Sequence, residues 1–188
     1  MSSIRLFLLD AFERYGDMHG HQLRLQAEKE RVALWTDISV GALYGAIKRL
    51  AADGLLAVVR TERDGNFPER HVYTITDEGR STLAALHLDG LLDVSMKPDP
   101  FDLALARLDP ARLDELSENL ERRRETLHGM LADAQAQSAR AEPYLTLAEK
   151  HALRHREHRI RAEIAWHDDL VAEIPVIVAD ERLPRTES

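Results

Sequence analysis

Four groups of side chains carry types and spacings that chemistry can use. The first is Ser39, Gly41, Ala42 and Tyr44, three small residues and one aromatic, followed by Lys48 and Arg49. Small residues at the start of a helix let its backbone approach a polyanion closely, and cations one turn later suit phosphate oxygens. Arg60, Arg63, Asn66 and Arg70 form a second group, suited to a sugar-phosphate backbone or a minor groove. The third is His151, His155 and His158, at spacings of four and three. Imidazoles so spaced share one helical face and can share a metal. Here no His-Glu-x-x-His pattern surrounds them, and Arg154, Arg156, Arg159 and Arg161 crowd the segment with positive charge. A solvated face or a pH-sensitive interface therefore stands ahead of a metal site, and no metal is expected. The fourth is Trp166, which reads either as an aromatic wall for a small effector or as a tryptophan of a dimer core.

Other chemistries are absent from the sequence. The 188 residues contain no cysteine, which excludes disulfides, thiolate zinc sites and cysteine nucleophiles. No glycine-rich phosphate loop and no recognisable Ser/His/Asp order is present, so neither an enzyme nor a cofactor is expected. His19 and His21 read as structure at the start of a helix rather than as ligands. Glu115, Glu118 and Glu121 read as surface partners of Arg122, Arg123 and Arg124 at helical spacing. The N-terminal run Ile4-Arg5-Leu6-Phe7-Leu8-Leu9 meets Asp10 too soon for a signal peptide, and no stretch approaches the roughly 18 apolar residues of a membrane span. A cytoplasmic location is expected.

Charge at first argues against a nucleic-acid partner, because 25 Lys+Arg stand against 33 Asp+Glu, a net of −8. Its distribution weakens that objection. Residues 1–85 hold 11 basic and 12 acidic side chains, a net of −1, whereas residues 86–188 hold 14 and 21, a net of −7. The two halves carry different chemistry.

The elements that must position these groups follow from periodicity. Ile4, Leu8, Ala11 and Phe12 predict a first helix that Gly16 ends after Tyr15; a second runs from His19-Gly20 to about Glu30. Ser39 is the candidate N-cap of a third, with Leu43, Ile47 and Leu50 on one face and Asp53-Gly54 closing it. Leu55–Arg60 and His71–Thr76 read as strands, joined through a polar loop with an Asp64-Gly65 turn into a hairpin. Thr76 is the candidate N-cap of a fourth helix. Lys97-Pro98-Asp99-Pro100 reads as a connector. Beyond it, Asp109-Pro110 predicts a helix start, with Leu113, Leu116, Leu120, Leu127, Leu131 and Ala134 on its seam. Glu142-Pro143 breaks that helix. A last one starts near Leu145, its seam Leu153, Ile160, Ile164, His167, Val171 and Ile174. Seams this narrow require partner helices, in the same chain or a second copy. The tail from Asp180 to Ser188 looks loose.

Three helices and a hairpin in about 75 residues outline a winged helix-turn-helix, with the third helix reading the major groove and the hairpin as wing. The fold class expected is mainly α with a small β-hairpin: residues 1–90 a winged helix-turn-helix DNA-binding domain, residues 101–179 a helical, coiled-coil-like dimerisation domain. At this point the residues carry a specific resemblance. His19-Gly20-His21-Gln22-Leu23, Trp35, Ser39-Val40-Gly41-Ala42-Leu43-Tyr44, Lys48-Arg49-Leu50, Asp53-Gly54-Leu55 and Arg70-His71-Val72-Tyr73-Thr74-Ile75-Thr76-Asp77-Glu78-Gly79 resemble the PadR family of bacterial transcriptional regulators. The resemblance implies a winged helix joined to a helical dimerisation domain of the long type, and repression of nearby promoters, in some members relieved by a small molecule such as a phenolic acid. Glu163-Ile164-Ala165-Trp166-His167 resembles the end of that long domain. Two positions depart from the pattern: Val40 and Gly45 stand where the family commonly has proline, which removes some pre-organisation of the helix start.

The function expected is a homodimeric repressor that docks two winged helices on an inverted-repeat operator of double-stranded DNA. Ser39, Gly41, Ala42, Tyr44, Lys48, Arg49, Arg60, Arg63, Asn66 and Arg70 would touch DNA, and Trp166 a small aromatic effector. Two other readings stay open: a small-molecule sensor working mainly through Trp166, and a winged-helix protein-interaction module that does not bind DNA.

Overall fold

The computed structural model describes residues 3–32, 40–63, 69–94 and 96–183, with only the backbone of Val40. The chain divides into two compact units, residues 1–95 and 96–188. No described helix is long and apolar enough to cross a membrane.

In the first unit, α1 (Ser3–Tyr15) buries Leu8, Leu9, Ala11 and Phe12. Gly16 takes φ +73° and its N–H reaches the Phe12 carbonyl at 3.0 Å, which turns the chain out of the helix. The next two residues form β1 (Met18–His19), a strand that the sequence pattern did not announce. His19 then caps α2 (Gly20–Lys29): its Nδ1 accepts from the Gln22 amide at 3.1 Å, and Gln22 Oε1 accepts from the His19 amide at 3.0 Å. This is the reciprocal capping box usually built on Ser or Thr, here with an imidazole. In α3 (Val40–Ala52) Leu43, Ala46, Ile47 and Leu50 are buried, so the expected apolar face is the one that packs. Gly54, at φ +75°, ends it.

The sheet has three antiparallel strands in the order β1-β3-β2, with β2 at Leu56–Glu62 and β3 at Arg70–Ile75. Leu56 pairs with Ile75 and Val58 with Tyr73, but the next register pair is Arg60 with Val72. Val59 is the extra residue of a bulge, and such an insertion changes which side chains face each side of a strand. Thr76 caps α4 (Asp77–Leu92), accepting from the Gly79 amide at 3.0 Å while its hydroxyl donates to the Gly54 carbonyl at 2.8 Å. One side chain thus joins the end of α3, the end of β3 and the start of α4. The core between these elements holds Phe12, Leu8, Leu9, Leu23 and Leu50 fully buried. Removing one such large side chain costs about 3–5 kcal/mol for Phe and about 2–5 for Leu.

The described secondary structure of the second unit is all helical. Asp99 starts α5 (Pro100–Leu105), accepting from the Phe101 amide at 2.9 Å. The expected helix start at Asp109-Pro110 is present, Asp109 accepting from the Ala111 amide at 2.9 Å, but the first six residues, Pro110–Glu115, form a 3₁₀ turn and α6 (Leu116–Ala141) follows it. Leu113 of that turn and Leu116 at the start of α6 are both buried. Pro143 sits in a second 3₁₀ turn (Glu142–Tyr144). Thr146 and Glu149 then form a capping box at the start of α7 (Leu147–Glu181).

α6 and α7 lie antiparallel. Ser138 donates to Glu157 at 2.7 Å near the hairpin's closed end, Arg124 reaches Asp168 at 3.3 Å, and Arg182 reaches Asp114 at 2.7 Å near the open end. The two seams meet each other: Leu127 and Ala134 pack with Ile160 and Ile164, and Leu116 and Leu120 with Ile174.

Candidate nucleic-acid interface

α3 turns its apolar face inward, which leaves Gly41, Tyr44, Lys48 and Arg49 exposed and Ala42 half-buried. Lys48 and Arg49 have no ion pair among the described residues, so both cations remain available to an external anion. Tyr44 is 42% exposed and is not a free antenna. Its ring lies on the start of α2, where a Cβ built on Gly20 would fall 2.7 Å from Tyr44 Cε1. Gly20 is therefore a close-approach glycine, and its lack of a side chain sets where Tyr44 stands.

β3 runs beside this helix and carries Arg70, half-buried, and His71, exposed. His71 is joined to Thr61 of β2 at 3.1 Å and meets Tyr73 edge to face, ring centroids 6.3 Å apart. Arg63 is exposed, with no ion pair among the described residues. Arg60 differs from the expectation: Glu62 holds it at 2.7 Å and Asp17 at 3.5 Å. Two carboxylates already offset its charge, so it adds less positive potential than its place in the sequence suggests. Ser39 and Asn66, and the motif residue Trp35, lie outside the described residues.

His21 and His71, with Tyr73, Ile47 and Gly20, were not among the expected site residues. Together with Tyr44, Lys48 and Arg70 they line a recess of about 380 Å³ between α3, the start of α2 and β3. A trace of it exists in the sequence: alternation along Arg70–Ile75 places His71 and Tyr73 on the same face of the strand.

The second unit holds the other expected site residue. Trp166 is 40% exposed and stands edge-on to Phe101 and to His167, at centroid distances of 5.7 and 5.0 Å. His167 is fully buried. Arg123 Nε donates to its Nε2 at 2.9 Å, which places the ring's proton on Nδ1, 3.1 Å from the Glu163 carbonyl oxygen. The same guanidinium reaches Asp99 at 2.9 Å and Glu163 at 3.2 Å and lies over the Phe101 ring at 4.2 Å. Arg123 is thus not one of the short surface pairs expected for residues 115–124. Arg122 and Arg124 do pair locally, with Glu118 at 3.9 Å and Glu121 at 2.7 Å. The amide of Phe101 and the guanidinium of Arg123 hold the Asp99 carboxyl below its ordinary range. His151, His155 and His158 are exposed, and the described residues contain no cluster of side chains able to hold a metal ion.

Residues 8–85 match the transcriptional regulator PadR-like family. No curated protein matches the chain. Among solved structures, PadR of Bacillus subtilis in complex with operator DNA is 20% identical over 93% of this chain and 98% of that one, with a TM-score of 0.63. The same protein in complex with p-coumaric acid is 19% identical over 92% and 98%, with a TM-score of 0.64. A PadR-like transcriptional regulator from Bacillus cereus is 15% identical over 93% and 99%, with a TM-score of 0.60. The likeness gives the fold, a winged helix followed by C-terminal helices, and it extends over both units.

Proposed function

We propose that this chain, whose residues 8–85 match the PadR-like transcriptional regulator family, is a homodimeric repressor that binds an inverted-repeat operator. The observation that carries the reading is the exposed row of Tyr44, Lys48 and Arg49 on α3, set beside a strand that presents Arg70. A helix of this diameter enters the major groove of B-DNA with its first residues nearest the base edges, while cations further along meet phosphates. Gly41, Ala42 and Tyr44 are then the base-facing residues, with Ser39 at the helix start. Lys48, Arg49, Arg63, Asn66 and Arg70 hold the backbone, with Arg60 a weaker contributor. The operator complex of the Bacillus subtilis protein supports double-stranded DNA as the partner class.

Dimerisation is assigned to residues 101–179 and DNA binding to residues 1–90. Outside residues 101–179, Leu88, Leu91 and Leu92 at the end of α4 are 58, 87 and 70% exposed, and exposed apolar residues grouped on one helix end support a contact with a second copy as well. A small aromatic effector is assigned to Trp166, whose exposed edge adjoins the Arg123 guanidinium network through Phe101 and His167. The p-coumaric acid complex supports that chemical class.

Fluorescence anisotropy of the full chain with the duplex upstream of its own gene tests the main reading. Saturable binding that weakens steeply with salt and survives excess unrelated duplex is expected. Salt-insensitive binding, or none, leaves the protein-interaction module as the function. Sedimentation at micromolar concentration should give twice the chain mass. Tryptophan fluorescence titrated with aromatic acids should respond through Trp166 and fall silent in Trp166→Phe.

A further inference from the structure

Charges on the flanks of α7 are spent within the chain: Arg154 on Glu142, Arg161 on Glu157, Glu163 on Arg123 and Asp168 on Arg124. The side turned away from α6 is different. His155, His158, Ala162, Trp166, Asp169 and Glu173 are all exposed. Their spacings of 3, 4, 4, 3 and 4 keep them on one helical face. His155, His158, Asp169 and Glu173 have no ion pair or hydrogen bond among the described residues. Imidazoles thus hold one end of this face and carboxylates the other, with a small residue and an indole between them.

Such an order is complementary to itself when reversed. A second copy laid antiparallel, with the two-fold axis near Ile164, sets His155 opposite Glu173, His158 opposite Asp169 and Ala162 opposite Trp166, and symmetry makes each pair twice. A parallel copy would set like against like. We infer that two copies of the chain meet antiparallel along this face of α7, in a pairing that acid strengthens. The inference rests on the homodimer reading, which names neither the face, nor the direction, nor a response to pH.

The response follows from the residue types. Imidazole gains its charge within the range of about pH 8 to 5, where Asp and Glu remain ionised. Residues 86–188 carry a net of −7 with histidine neutral, so two such units repel until cations of one face acids of the other. Around His158 stand Glu142, from the turn after α6, and Lys150, Arg154, Glu157 and Arg161, while α6 adds the uncharged Gln135 and Ser138. Arg156 and Arg159 flank His155 along the helix, and His151 lies one turn before it. This end of α7 is therefore positive, and the carboxylate end of a second copy suits it.

Sedimentation of the full-length protein over a concentration series, at about pH 6 and about pH 8 and fixed ionic strength, tests it. Four exposed pairs, each weak alone, should together make the dimer about tenfold tighter at the lower pH. His155→Gln with His158→Gln should abolish most of that difference. His155→Glu puts like charges opposite one another and should weaken the dimer at the lower pH by about tenfold, and adding Glu173→His should restore it. Circular dichroism melts confirm that each variant keeps its fold.

Recovery in the His155→Glu/Glu173→His variant supports the antiparallel register, and a double variant as weak as His155→Glu overturns it. A pH difference that survives loss of both imidazoles overturns their role. A chain that stays monomeric at every concentration and pH fails the homodimer reading, and this inference with it. A firm dimer indifferent to pH and to these substitutions fails this inference alone.

Discussion

Lys48 and Arg49 are consecutive on α3 and unpaired among the described residues, whereas Arg60 spends its charge on Glu62 and Asp17. Each phosphate contact contributes close to one unit to the salt dependence of DNA binding. Lys48→Ala and Arg49→Ala should each lower the slope of log affinity against log salt by about one unit, and Arg60→Ala by clearly less. Anisotropy titrations across a salt series read this directly, and a full unit lost in Arg60→Ala would mean that its intramolecular pairs open on the DNA. A second residue prediction concerns Glu157, nearly buried on α7 and held by Ser138 at 2.7 Å and Arg161 at 2.9 Å. The hydroxyl first, and then the guanidinium, hold its carboxyl below the ordinary glutamate range. The charged form is therefore the one the fold favours. Its stabilising effect is complete above the unfolded-state value and fades as pH falls through the lower folded value. Glu157→Gln should lower the melting temperature at neutral pH, and the two curves should converge in strong acid. A constant gap at all pH values would locate the loss in packing rather than charge.

Among the elements, the tightest join is where α4 starts against the end of α3. A Cβ on Gly79 would fall 2.3 Å from the Leu55 carbonyl oxygen and 2.7 Å from Ile75 Cγ1, and the first of these is backbone that cannot swing away. Gly79→Ala should therefore destabilise the protein by about 1–3 kcal/mol, the cost of forced overpacking. Thr76→Ala, which loses one helix cap, should cost about 1 kcal/mol. Urea unfolding separates the two, and a neutral Gly79→Ala would show that α4 can tilt away freely. Much at this scale was readable beforehand. Thr76 as cap, Gly16 and Gly54 as helix ends, and the Leu43/Ile47/Leu50 face all express local chemistry that a linear pattern records. What the sequence hid depends on partners distant along the chain. β1 is two residues long and exists because β3 pairs with it. Val59 becomes a bulge only once β2 and β3 are in register. Arg123 reads as one more helical surface cation until α5 and α7 bring Asp99, Glu163 and His167 to it. The recess likewise joins residues about 25 positions apart, through a glycine whose importance is the ring lying on it.

At the scale of the whole molecule, the net of −8 gives up its objection to DNA once its place is known, since residues 86–188 hold −7 of it. A winged helix of nearly zero net charge gains little from long-range attraction, so in the proposed dimer tight binding comes from two correctly placed reading helices rather than one. A closed homodimer has two-fold symmetry, and that symmetry demands an operator whose half-sites repeat on one face of the duplex, about 10–10.5 base pairs or a multiple apart. Inserting five base pairs between the half-sites turns one of them to the far side of the DNA. Binding should then fall to that of an unrelated duplex. Inserting about ten restores the phase, and with it much of the affinity that the helical unit's reach allows. A strongly basic domain would show the opposite, since phosphate attraction alone would hold it at every spacing. Gel-shift titrations with the three duplexes at fixed salt measure the difference. Equal affinity for all of them would mean that one winged helix suffices, and that the acidic half serves another purpose than pairing two readers.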